Sequence, residues 1–184
     1  TLGVFSKESA AAVAAIALAA PFLTPGSRPS MKRFAIDAAG AGAVVALALV
    51  ARALVAEGPV FVPPIDNPMS LVGPFERILT ALWVQVLYIQ RTLVPVVLSA
   101  DYSYSEIKLV MGLGDPRAWA GLALAGLAAW AFWTRPRLRL GILLWVVLFA
   151  PTANIVFAIG TMMGERLAYL PSIGLCLLVA LLLM

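Results

Sequence analysis

Residues 78–98 read ILTALWVQVLYIQRTLVPVVL. The run has the length of a membrane-crossing helix, about 20 residues. It nevertheless holds Gln85, Gln90 and Arg91, and Arg77 stands just before it. Arg77, Thr80, Tyr88 and Arg91 fall near one face at helical spacing. Whether this stretch crosses a bilayer sets the topology of its neighbours.

The surrounding composition predicts a bilayer. The chain is 62% hydrophobic and 12% charged, with a mean hydropathy of +0.99, where soluble domains carry about 25% charged residues. Further apolar runs cover residues 9–23, 34–56, 118–134, 140–158 and 167–184. The expected fold class is therefore all-α: a polytopic integral membrane protein. Two loops, TPGSRPSMKR and RPRLR, carry basic residues and no acid. The positive-inside rule puts both on the cytoplasmic side, so an even number of crossings separates them. Three apolar runs lie between, and 78–98 is the most polar of the three. It is expected to be a re-entrant or interfacial helix beside about five transmembrane helices. The competing assignment is an ordinary spanning helix whose arginines snorkel.

Residues 1–184 are expected to form a single transmembrane region within a longer membrane domain. The chain opens without Met, and its last residues, LLVALLLM, lie inside an apolar run. Several chemistries are disfavoured. There is no His and only one Cys, Cys176, so His-based acid/base work and a zinc site are not expected, nor is any other metal or cofactor. The net charge of +4 sits at the ends of apolar runs, which is a membrane pattern and not a nucleic-acid surface.

Four charged clusters converge on the predicted outer face: Lys7 and Glu8; Asp66 and Asn67 between prolines; Asp101 and Tyr102; and Glu165, Arg166 and Tyr169. A charged pair such as Glu165–Arg166 between apolar runs is costly unless it is paired, wet or working. Arginine and lysine suit a phosphate, and carboxylates can orient those cations or bind sugar hydroxyls. Lys7, Arg77, Arg91 and Arg166 are the candidates for a donor phosphate. Glu8, Asp66, Asn67, Asp101, Tyr102, Glu165 and Tyr169 are the candidates for orienting or sugar contacts. The plainer alternative is a set of interfacial salt bridges that only fix helix packing.

The motifs SKE (6–8), DNP (66–68), R-x-L-T (77–80), P-x-x-L-S-A-D-Y-S (95–103) and ERLAYLPSIGLCLL (165–178) follow in that order. Together they resemble the transmembrane and tetratricopeptide-repeat O-mannosyltransferase family and its bacterial relatives, which are GT-C-type glycosyltransferases. The resemblance implies a GT-C-like fold and inverting transfer of a sugar, mannose or similar, from a polyprenyl-phosphate donor. The acceptor would be a hydroxyl on a protein or glycan at the outer or lumenal face. Membrane lipid, the lipid-linked sugar and the acceptor are the implied partners. A bacterial inner membrane is the expected location, or the ER membrane in a eukaryote. The family's catalytic acid would precede Thr1 and its repeats would follow Met184, so the catalytic residue is unknown and the chain alone is expected to be inactive. Two other functions compete: a non-catalytic membrane module that binds lipid-linked precursors or partner proteins, and a transporter.

Overall fold

The computed structural model describes residues 62–96, 99, 101–102, 106–156 and 158–184, with isolated positions between 30 and 50. The chain divides into two compact units, Thr1–Val60 and Phe61–Met184. Lys7 and Glu8 lie outside the described residues, as does most of the first unit.

Among the described residues the second unit holds five α-helices, numbered in chain order. Helix α1 spans Pro74–Leu93. Pro74 sits at its first turn, where a missing N–H costs nothing, and the helix stops two residues before Pro95, since the residue ahead of a proline avoids helical geometry. Helix α2 spans Pro116–Thr134, and Asp115 caps it by accepting a hydrogen bond from Arg117 N at 2.9 Å. Helix α3 spans Arg139–Phe149, α4 Glu165–Ala168 and α5 Ser172–Leu183. Single 3-10 turns occupy Pro68–Leu71, Pro136–Leu138 and Ala150–Thr152.

These helices overturn the expected polytopic membrane fold. The described residues are all helix, turn and loop, but no helix among them is long and apolar enough to cross a membrane. The reasons differ from run to run. Helix α1 has 20 residues but includes Glu76, Arg77 and Arg91. Helix α2 has 19 residues, many of them Ala, Gly and Trp, which are only moderately apolar. The 140–158 run breaks near Pro151, leaving α3 with 11 residues, and Pro171 divides the last run so that α5 has 12. At about 1.5 Å per residue, α3 and α5 span roughly 16–18 Å against a hydrocarbon core of about 30 Å.

Helix α1 is amphipathic, and its inward face of Leu79, Thr80, Ala81, Val84 and Tyr88 is buried. This is the face noted from the spacing of Thr80 and Tyr88. It packs on α2 where Gly121 lies under Leu82 and Trp83; a Cβ there would come within 2.9 Å of their backbone atoms. Helices α3 and α5 meet antiparallel in the same way. Gly174 touches Gly141 and Trp145, while Gly141 touches Leu178. The core between these pairs joins Met69, Tyr88, Tyr102, Phe149, Met162 and Met163. Phe149 stands at its centre, 4.6 Å from the Tyr88 ring and 4.8 Å from the Trp145 ring by centroid.

A Cβ at Gly174 would lie 2.6 Å from both Gly141 O and Trp145 N, whereas one at Gly126 of α2 would meet nothing within 4 Å. Gly174→Ala should therefore cost about 1–3 kcal/mol, while Gly126→Ala should add up to about 1 kcal/mol. Denaturant midpoints of the two variants check this.

Candidate functional site

The site is shaped by a buried amide pair. Asn67 is fully buried. Its side-chain amide donates to Asn154 Oδ1 at 2.9 Å, Ile159 O at 2.8 Å and Thr161 O at 3.2 Å, while its Oδ1 accepts from Met69 N at 3.0 Å. Asn154 adopts φ 58°, a left-handed conformation that asparagine tolerates better than most residues. From there it donates to Thr161 O and Met162 O and accepts from Ile159 N. These bonds pin the loop 154–164, which has no regular ladder to satisfy its own backbone.

The pinned loop delivers Gly164 and Glu165 to the inner face of α1. Tyr88 Oη accepts from Gly164 N at 3.0 Å and donates to Gly164 O at 3.2 Å. Tyr102 N donates to Met163 O at 3.1 Å. The Tyr102 hydroxyl donates to Glu165 Oε1 at 2.6 Å, and the same oxygen accepts from Ser99 N at 2.8 Å. On the Tyr102 ring lies the guanidinium of Arg91, 4.0 Å from the centroid. One buried tyrosine thus holds a cation on its face and a carboxylate at its tip.

Beside this group is a cavity of about 320 Å³ between the end of α1 and the start of α5, lined among others by Tyr88, Arg91, Glu165, Arg166 and Tyr169. Arg166 and Tyr169 are exposed at its rim, Tyr169 at 79%. Arg91 Nη1 is buried without a hydrogen-bond partner, an expensive state for a charged donor. The cavity is lined by two arginines and by a carboxylate already engaged, and the unpartnered Nη1 of Arg91 is buried behind its wall. Such a set can grip an oxyanion.

The structure brings together Arg91, Tyr102, Glu165, Arg166 and Tyr169 from the sequence-derived set and separates others. Arg77 sits in the first turn of α1, some 21 Å along the helix from Arg91, so the two cannot hold one phosphate. Asn67 and Tyr102 were expected to contact sugar or orient it. They are 0% and 1% exposed, and their polar groups are spent inside the chain, so they position other residues. Asp101 is exposed, and its carboxylate accepts from the Thr161 hydroxyl. Asp66 does not line the cavity. Pro171 stands at the N-cap position of α5 with φ −59°, a value already suited to a helix start. Sequence reasoning missed Asn154, Thr161 and Ser99, whose short polar side chains or backbone N–H belong to no motif.

Burial sets the acidity of the tyrosines. Desolvation pushes Tyr88 up to about 12, the Gly164 backbone bond opposes the shift, and Asp101, Tyr102 and Glu165 add to it. Tyr102 is raised by burial and then by its bond to Glu165, against the pull of Arg91.

The raised Tyr88 pKa carries a stability signature. The folded state keeps the Tyr88 proton more tightly than the unfolded chain, whose value is 10.0. The contribution is whole below pH 10 and disappears as pH rises through about 12. It amounts to about 2–3 kcal/mol, and Tyr88→Phe should remove that alkaline slope in denaturation curves taken across pH. Tyr102→Phe keeps the ring under Arg91 but loses a bond to a carboxylate. It should cost about 1.5–3 kcal/mol, read from the same type of curve at neutral pH.

Residues 56–129 match the family model described as "Protein O-mannosyl-transferase TMTC, DUF1736". The chain is 36% identical over 124 residues to the Drosophila melanogaster protein O-mannosyl-transferase Tmtc3, covering 62% of this chain and 13% of that protein. It is 29% identical over 120 residues to Caenorhabditis elegans protein O-mannosyl-transferase F38B6.6, covering 63% and 17%. With Mus musculus protein O-mannosyl-transferase TMTC4 it is 30% identical over 135 residues, covering 68% and 18%. The chain thus spans less than a fifth of the length of these relatives. They are animal proteins and lend no support to a bacterial setting. No solved structure gives a significant match. Residues 56–129 thus match the TMTC protein O-mannosyl-transferase family, and the relatives agree with that match.

Proposed function

We propose that this chain forms the donor-binding part of a glycosyltransferase that takes a sugar, mannose or similar, from a polyprenyl-phosphate donor to an acceptor hydroxyl at a membrane face. In a eukaryotic parent that face would be the ER lumen. The observation that carries the reading is the cavity with Arg91 and Arg166 on its wall and a buried, unpartnered Arg91 Nη1.

The chemistry matches two cations. In an inverting transfer the acceptor oxygen attacks the anomeric carbon and the carbon–oxygen bond to the phosphate breaks. The electron pair leaves on the phosphate. The donor diester carries one negative charge, and the leaving monoester carries nearly two. Guanidiniums that meet this growing charge stabilise the transition state more than the ground state. The acceptor's proton goes to a base outside the described residues. Glu165 and Asp101 are already committed to Tyr102, Ser99 and Thr161, so Glu165 shapes the cavity wall and both leave proton transfer to another part of a longer protein.

That same commitment favours one alternative, a module that binds lipid-linked sugar phosphates without turning them over. Transfer from a polyprenyl-phosphate mannose donor by the full-length parent separates the two. Arg166 is exposed, so Arg166→Glu should fold normally and lower transfer by at least about 100-fold, of the order seen when one transition-state donor is removed, while Arg166→Lys should keep part of the activity. Unchanged transfer in Arg166→Glu would remove Arg166 from the reaction. Donor binding without transfer by the wild-type parent would favour the binding module.

A further inference from the structure

At the far end of α5 lies a second concavity with a different chemistry. It has a volume of about 520 Å³ and is lined by Trp130 at the end of α2, Arg135 and Arg137 in the following turn, and Leu181 and Leu182 of α5, with Leu138 between them. Ser172 lines the candidate donor cavity and Leu182 lines this groove, so α5 separates the two by about 15 Å.

The sequence RPRLR places three arginines in five positions, and the structure gives them different roles. Arg139 donates to Phe132 O at 2.9 Å and Trp133 O at 3.3 Å, satisfying the last carbonyls of α2 as a C-terminal cation does. Arg135 and Arg137 do no such work. Both are exposed, and among the described residues no carboxylate lies within ion-pair distance of either. The nearest acids along the chain are Asp115 and Glu165. The first is bound to Arg117 and the second to Tyr102. Arg135 rests over the Trp130 ring at 5.8 Å, and both residues line the groove.

Two free cations above a floor of Trp and Leu discriminate between ligands. A sugar would need carboxylates or amides to accept its hydroxyls, and this lining has none. A nucleic acid strand would need a succession of stacking rings and would leave Leu181 and Leu182 uncovered. An anionic amphiphile satisfies both halves, with phosphate on the arginines and acyl carbons on the apolar floor. Guanidinium is well suited to phosphate because of its fork of N–H donors. We propose that this groove binds the phosphate headgroup and first acyl carbons of an anionic phospholipid, at a site separate from the donor cavity.

The test uses the full chain and monomeric short-chain probes: dihexanoyl phosphatidic acid, dihexanoyl phosphatidylcholine and inorganic phosphate, titrated by calorimetry. Phosphatidic acid should bind saturably. Arg135→Gln/Arg137→Gln should weaken it by roughly tenfold or more, from the usual attraction of each basic residue to an anionic lipid. Phosphatidylcholine should bind less tightly by a similar factor, and inorganic phosphate should compete poorly because it leaves the apolar floor bare. Arg91→Gln should leave the affinity unchanged, which keeps this site distinct from the donor cavity. Equal binding of the two lipids, unchanged affinity in the double variant, or equal competition by inorganic phosphate would each overturn the assignment. So would a double variant that alters self-association and not lipid affinity. Arg135 and Arg137 are exposed, so circular dichroism should show the double variant folded.

Discussion

The side-chain amide of Asn67 ties together parts of the chain that are 87 to 94 residues apart. Its setting explains why so much follows from it. The loop 154–164 enters the interior with unpaired N–H and C=O groups, and burying these without partners costs more than a hydrogen bond returns. Asn67 and Asn154 supply those partners from both sides. With the loop fixed, Gly164 falls under Tyr88 and Glu165 under Tyr102. The cation–ring–carboxylate stack of Arg91, Tyr102 and Glu165 then has one geometry. Networks of this kind rigidify a site when every member is satisfied.

The two ends of α5 illustrate how similar residues acquire different tasks. At one end arginine stands beside a carboxylate and two tyrosines, groups that define a narrow shape. At the other end arginines stand above aliphatic carbon, and among the described residues no acid lines the groove. Charge alone would not separate these sites; the neighbours do.

Helix content was legible in the sequence from its long apolar runs, but the ends set by Pro74, Pro95, Pro116 and Pro171 were not read from it: the run 78–98 was carried through Pro95 and the run 167–184 through Pro171. The inward face of α1 was also legible from its spacing. The expectation of spanning helices failed for the described residues. Hydropathy along a run does not reveal that Pro151 and Pro171 cut the last two runs to 11 and 12 residues. For the site, Arg91, Glu165 and Arg166 were visible as charges out of place in apolar surroundings. Their grouping was not, and Arg77 was wrongly joined to Arg91 because helical phase says nothing about distance along the axis. Asn154 and Thr161 carried no signal at all. Their importance lies in long-range bonds to backbone atoms, which no spacing rule encodes.

The meeting of α3 and α5 at Gly141 and Gly174 bears on how this sequence can drift. When helices touch through side chains, an enlarged residue on one can be matched by a reduced residue on the other, and many paired solutions exist. Here the atoms facing Gly174 are the Gly141 carbonyl and the Trp145 amide. A backbone atom has no smaller version, so no second substitution can make room for the first. A change at position 174 must therefore be borne by a shift of the helices themselves, while Gly126 of α2, with nothing within 4 Å, stays open to change.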